Sequence, residues 1–271
     1  DGGNPDGKTA FFYPEQGLGD LFKFVRYLPL VAAEGGRILL ETPTQMARLL
    51  QGFDSAHTLI SSEAPLADFD CHASLLDLPG IMGTNLETIP APVNYITSDP
   101  ELTSAWAERL GAHEDFRIGL VWNGNPDNTE NARRSIDPGL LKPLIQIPGV
   151  SLYSLQVGRD GEAKAVLGDA ITDLAPELND FADTAAIIHN LDLVVSVDTA
   201  VAHLAGALGH QVWTLLPFMP DWRWLFDRDD SPWYPTVQLF RQACPGDWGD
   251  VIDRVVHQLG KFLHTCSGLR E

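Results

Sequence analysis

Short apolar runs alternate along the chain with stretches in which apolar residues recur at helical spacing, the pattern of parallel α/β units. In the first part the pattern predicts strands over 9–13, 37–41 and 57–60 and a short apolar piece over 69–73. Helices are predicted over 18–33 and 44–50. Residues 79–100 are punctuated by Pro79, Gly80, Gly83, Pro90, Pro92 and Pro100 and read as an irregular connection. A helix follows to residue 110, with Asp99 as its cap and Pro100 in its first turn. The alternation restarts at 116–122 and continues through 138–147, 150–156 and 162–167. Then come a helix over 182–190, a buried strand over 191–197, a helix over 200–208 closed by Gly209, and a strand beginning within 211–217. A Trp-rich stretch precedes a final helix from about 248 to 263. The expected fold is α/β, with two doubly wound, Rossmann-like lobes facing a central cleft. The lobes are placed at 1–112 and 113–271, with the hinge near 111–115. Such an arrangement brings the loops at the carboxyl ends of both sheets into one cleft, where open α/β sheets bind ligands.

Composition narrows the trade. The 271 residues are 44% hydrophobic and 20% charged, a globular balance that excludes wholesale disorder, collagen and coiled coil. Against 18 Lys and Arg stand 37 Asp and Glu, a net charge of −19. That field repels nucleic acid and anionic lipid, while a small anion can still bind where a local site supplies donors. Cys71, Cys244 and Cys266 are far apart and suit a reducing compartment. The longest apolar runs, such as 191–197, are too short to span a membrane. The start, Asp1-Gly2-Gly3-Asn4-Pro5-Asp6-Gly7, has neither an initiator Met nor a signal pattern, so it reads as a trimmed fragment or processed chain, and a cytoplasmic location is expected.

Three segments can carry chemistry. Glu15-Gln16-Gly17-Leu18-Gly19-Asp20 is a glycine-rich turn between a strand and a helix. Gly17 and Gly19 would let a substrate approach the backbone, and a tight turn with Asp20 complementing the helix dipole is the bland alternative. It is no dinucleotide fingerprint, because Phe22 occupies the third glycine position. In the second segment Asp198, Thr199 and Ala200 lie where a buried strand becomes a helix, with Thr199 as cap and His203 one turn on. The third follows the first strand of the second lobe: Asn123, Gly124, Asn125 and Pro126, then Arg133-Arg134-Ser135. Adjacent arginines in an acidic chain read as a phosphate clamp or as a solvated answer to surplus carboxylates. Gln156 ends the next strand of that lobe and joins the candidate binding set. Asp68-Phe69-Asp70 and Asp227-Arg228-Asp229 could hold a divalent cation, though so short a string is common in an acidic chain. Asp221-Trp222-Arg223-Trp224 could stack a base or sugar; as part of an aromatic cluster it reads more readily as core.

In this order the motifs resemble the heptosyltransferase-like glycosyltransferases of family 9, especially the bacterial branch found downstream of tetratricopeptide repeats. The resemblance runs from about residue 13 to 259. Its specific parts are Gly17-Leu18-Gly19-Asp20 with Arg26-Tyr27-Leu28-Pro29, Gly119-Leu120-Val121-Trp122 with Gly124-Asn125-Pro126 and Arg134-Ser135, and the run from Asp198 to Ala205. Asp221-Trp222-Arg223-Trp224 and Ser231-Pro232-Trp233-Tyr234-Pro235 are similar to strings of the repeat-linked branch. The chain has Arg133-Arg134-Ser135 where typical heptosyltransferases place a lysine, and its first lobe is short. The resemblance implies the two-lobed GT-B fold, with a terminal helix that packs back on the first lobe. It also implies a nucleotide-diphospho-sugar donor, no metal or other cofactor, Asp20 as base, and donor contacts from the Asp198-Thr199 segment.

The expected function is therefore inverting transfer of a sugar to an acceptor hydroxyl, the acceptor being a glycan, a lipid-linked sugar or a protein. Asp20 would take the proton. Arg134, Asn123 and the helix start after Asp198 would hold the departing diphosphate. Arg133, Ser135, Gln156, Gly17, Gly19 and His203 complete the substrate-binding set, with an upstream tetratricopeptide-repeat segment as a further partner. The rival is a sensor or scaffold that binds the nucleotide sugar without turnover. A methyltransferase, motivated by the Gly-Leu-Gly-Asp turn alone, is the weaker third.

Overall fold

The computed structural model describes residues 3, 5–112, 114–159 and 161–267. In the first lobe β1 (Thr9–Tyr13), β2 (Arg37–Thr42), β3 (Thr58–Ser61) and β4 (Cys71–Ser74) form a parallel sheet in the order β3-β2-β1-β4. The accompanying helices are α1 (Leu18–Phe24), α2 (Leu28–Ala33), α3 (Thr44–Leu50), α4 (Leu78–Ile81) and α5 (Pro100–Leu110). The helix expected over 18–33 is in fact two, joined by a 3-10 turn at Val25–Tyr27. Pro29 accounts for the break: it has no N–H to give and sits in the first turn of α2. Asp99 caps α5 as expected, its Oδ1 accepting from the amides of Glu101 and Leu102 at 2.8 and 3.1 Å.

The second lobe comprises β5 (Phe116–Val121), α6 (Asn131–Arg134), α7 (Lys142–Ile145), β6 (Val150–Ser154), α8 (Glu162–Leu167), β7 (Ile171–Asp173), α9 (Phe181–His189), β8 (Leu193–Val197), α10 (Ala200–Ala207), β9 (Val212–Leu216), β10 (Val237–Arg241) and α11 (Trp248–Ser267). Its six strands are parallel in the order β10-β9-β8-β5-β6-β7. The interior strands β8 and β9 are buried throughout, as a sheet covered on both faces requires. The sequence pattern misses β7 and β10. Both are edge strands with partly exposed residues, and neither presents an unbroken apolar run.

One hydrophobic core runs through both lobes. Leu21, Phe22 and Phe24 of α1 join Ala182, Ala185 and Ala186 of α9 and Ala202 and Ala205 of α10, where alanines let the helices approach closely. Phe22 meets Phe181 edge to face at 5.1 Å. Arg48 of α3 adds ion pairs to Asp180 and Asp183 at 2.8 and 2.9 Å, and Trp106 Nε1 of α5 donates to Asp183 at 3.3 Å. A shared apolar core of this kind resists hinge opening. The second core lies on the other face of the six-stranded sheet. There Trp248, Val251, Ile252, Val255 and Leu259 of α11 pack with Ile118, Leu144, Trp213 and Phe240. The apolar stripe of α11 is thus spent on its own lobe, rather than packing back on the first as the resemblance implied. The Trp-rich segment is largely core: Trp213, Trp224, Trp233 and Trp248 are buried, whereas Trp222 is 55% exposed.

Candidate active site

In the six-stranded sheet the strand order reverses between β5 and β8, so the loops leaving these neighbours diverge and open a crevice at their carboxyl ends. The turn after β1 faces it from the first lobe. Together they enclose a cleft of about 630 Å³. Gly17, Gly19, Asp20, Asn123, Arg134, Gln156, Asp198, Thr199, Ala200 and His203 all line it. Arg133 and Ser135, expected alongside them, do not. Arg133 points to solvent and pairs with Glu130 at 2.9 Å, while Ser135 Oγ donates to the Asn131 carbonyl at 2.7 Å. Two neighbours on a single turn of α6 cannot face the same way, so only one arginine of the pair reaches the cleft.

Arg134 is that residue. Its guanidinium lies against Gly124, where an added Cβ would come within 2.8 Å of Nε and 2.9 Å of Nη2. Nε is buried without a hydrogen-bond partner, and among the described residues no carboxylate is within ion-pair distance of Arg134. The surrounding loop is held by its own polar groups. Gln156 Oε1 accepts from the amides of Trp122 and Asn123 at 3.1 and 2.8 Å, and Asn131 Nδ2 donates to Asn123 Oδ1 at 2.9 Å. Gln156 therefore braces the loop with its carbonyl.

Opposite lies the start of α10. Thr199 occupies the N-cap position but gives the helix no side-chain cap; its hydroxyl lies 2.9 Å from Ser196 Oγ. Sequence reasoning made Thr199 the cap. Its diversion instead leaves the amides of the first turn for a ligand, with Ala200 and Val201 on the cleft wall.

His203 is clamped from several sides. It stacks on Trp224 with ring centroids 5.2 Å apart, Nδ1 is 3.0 Å from the Tyr234 hydroxyl, and Nε2 is 3.5 Å from Asp198 Oδ1. Burial holds its pKa below the ordinary value against the pull of Asp198. The imidazole is thus neutral at pH 7 and offers Asp198 an N–H rather than a charge. Burial works to raise the Asp198 carboxyl, but the His203 hydrogen bond, with Arg134 and Trp224, leaves it below the usual carboxylate range. Gly19 rests on this ring: a Cβ there would sit 2.6 Å from His203 Cδ2. The glycine answers to lobe packing, and only Gly17 faces open space as expected for a substrate approach.

Asp20 sits in the first turn of α1, and its carboxylate is paired with Arg223 of the second lobe. Arg223, which also holds Asp221 at 2.7 Å, was read from sequence as part of an aromatic string and missed as a cleft residue. Lys23, one turn beyond Asp20, is fully buried with no hydrogen bond to Nζ, which lies 3.9 Å from the Trp233 ring centroid and 5.0 Å from that of Trp222. Burial, with Arg223 and Arg26 nearby, pushes its pKa well below the usual lysine value. Arg26 brackets the lobes, donating to the carbonyls of Pro90 and Trp233 and to the Tyr95 hydroxyl. Both Asp-x-Asp strings lie outside the cleft, where Asp70 accepts the Thr9 amide at 2.7 Å. Among the described residues no group of three His, Cys, Asp or Glu side chains is placed to hold a metal, and no helix is long and apolar enough to cross a membrane.

Comparison with known proteins extends this picture. Residues 158–217, which include β8 and the Asp198–His203 segment, match the family model Glycosyltransferase family 9 (heptosyltransferase). Protein FlbA of Caulobacter vibrioides is 30% identical over 286 residues, covering 94% of this chain and 47% of that protein. The chain thus spans about half the length of this curated relative. Among solved structures, the E. coli ADP-heptose lps heptosyltransferase II superposes with a TM-score of 0.66 at 14% identity, covering 96% of this chain and 99% of the other. The family 9 glycosyl transferase from Veillonella parvula gives 0.66 at 10% identity, over 89% and 87%. The chain has the GT-B fold and resembles the heptosyltransferase-like glycosyltransferases of family 9, in architecture over nearly its whole length and in sequence through residues 158–217, one of the segments of the second lobe that line the cleft.

Proposed function

We propose that this chain transfers a sugar from a nucleotide-diphospho-sugar to an acceptor hydroxyl, with inversion and without a metal. The observation that carries the reading is Arg134: a half-buried cation with an unpartnered Nε in a chain of net charge −19, facing the uncapped first turn of α10. An unpaired guanidinium and free helix amides are what a diphosphate needs, and they stabilise it further as charge builds on departure. Asp20 stands on the opposite lobe, where the acceptor would enter. Attack from that face opposite the leaving group gives inversion in a single displacement, with Asp20 taking the hydroxyl proton. The exposed free thiols of Cys71 and Cys244 suit the cytoplasm as the place of reaction.

Calorimetry with ADP, UDP and GDP in excess EDTA tests the donor half. One of them is expected to bind, and Arg134→Ala to weaken it about 10- to 100-fold, the worth of a charge-assisted hydrogen bond. Strict dependence on Mg²⁺ or Mn²⁺ would reject the metal-free reading. Asp20→Asn is expected to cut transfer at least about a hundredfold with donor affinity nearly unchanged. The second reading, a sensor without turnover, is favoured by one observation: the Asp20 carboxylate is already engaged by Arg223. Wild-type protein that binds a donor yet transfers to no acceptor supports the sensor.

A further inference from the structure

We propose that Arg223 is the positioning residue for Asp20, setting from the second lobe which carboxylate oxygen receives the acceptor's proton. The inference rests on the reading of Asp20 as base. Arg223 lies in the 3-10 turn Trp222–Trp224 after β9, and its place is over-determined. Its amide donates to Asp221 Oδ1 at 3.0 Å and Nη1 donates to the same oxygen at 2.7 Å. Nη2 pairs with Asp20 Oδ1 and reaches Gln16 Oε1 at 3.3 Å. The Trp222 ring centroid is 4.9 Å from the guanidinium carbon, and the next residue, Trp224, is locked in the core. The side chain is only 8% exposed. It is therefore unlike the solvent-facing Arg133–Glu130 pair, which gains little from its geometry.

The pair engages Oδ1 of Asp20, a residue that lines the cleft, and on this proposal Oδ2 is the oxygen that meets the acceptor. In the transfer step the acceptor O–H proton passes to Oδ2 while the acceptor oxygen bonds to the anomeric carbon. The bond from that carbon to the diphosphate breaks, and the diphosphate leaves with the electron pair. Arg223 takes no part in the proton transfer and makes no bond to substrate. Its contribution is alignment, and a carboxylate misplaced by about an ångström can cost a hundredfold in rate. Because Asp20 and Arg223 come from different lobes, the base is aligned only when the lobes are seated together, as the shared core and the Gly19–His203 contact hold them.

The test uses ADP-heptose as probe, with ADP release and carbodiimide labelling of Asp20 as separate readouts. Arg223→Ala is expected to lower kcat about 10- to 100-fold with the KM for ADP-heptose little changed. Millimolar guanidinium or the Arg223→Lys variant should restore part of the rate, and Arg223→Ala should cost nothing further in an Asp20→Asn background. Labelling of Asp20, freed from its pair, should rise severalfold in Arg223→Ala and fall back in Arg223→Lys. Unchanged labelling overturns the proposal, and it decides alone if the wild type releases no ADP. An effect on KM alone, or equal losses with and without Asp20, also overturns it. An inactive Asp20→Asn with a fully active Arg223→Ala removes Arg223 and leaves the base. A fully active Asp20→Asn removes the base itself.

Discussion

Gly19→Ala probes the contact on which the site is built. An alanine in a helix is ordinarily favoured over glycine by up to about 1 kcal/mol. Here the new Cβ would lie 2.6 Å from His203 Cδ2 and 3.4 Å from Nε2. The ring cannot step aside, since Trp224 stacks on it and the Tyr234 hydroxyl holds Nδ1 at 3.0 Å. Overpacking of a well-filled site costs about 1–3 kcal/mol, which exceeds the helix gain, so a net loss of about 1–2 kcal/mol is expected. Urea unfolding followed by tryptophan fluorescence measures it as a lower midpoint at unchanged slope. Gly17→Ser is the control: its Cβ meets nothing within 4 Å, its backbone is extended, and serine is a better helix cap, so stability should hold or rise slightly. If Gly19→Ala proved as stable as the wild type, the argument that lobe packing requires this glycine would fail.

His210 predicts a pH dependence. Burial lowers its pKa to about 4 from an unfolded value near 6.5, so between these the unfolded chain binds more protons and stability falls as pH falls; urea midpoints at pH 7.5 and 5 should diverge less in His210→Asn, and equal divergence would refute the assignment. Lys23→Met removes a buried ammonium that has no hydrogen-bond partner, so at pH 7 it should be neutral or stabilising. Its midpoint should also lack the wild-type rise toward pH 10, and a loss beyond about 1.5 kcal/mol would mean that the aromatic cage outweighs the cost of burial.

Residues 191–208 show how much of this molecule is local. An apolar run interrupted only by Asp192 and Ser196, then followed by Asp198, Thr199 and small residues, reads as a buried parallel strand turning into a helix, and that strand–helix unit is what the structure contains. The cap at Asp99, the restart at β5 and the glycine turn before α1 are legible for the same reason: backbone propensity and hydrophobic period act over a few neighbours. These local rules determined the two-lobed α/β fold and the segments that line its cleft. They could not say that Arg134 turns inward while Arg133 faces water, because that depends on how the turn of α6 is rotated against the loop after β5. Nor could they pair Asp20 with Arg223, bury Lys23 among aromatic rings, or fit Gly19 to His203. Those contacts join residues far apart in the chain, and their energies exist only once the two lobes close on a common core; tertiary packing, which creates the low-dielectric surroundings of His203 and Asp198, decided them.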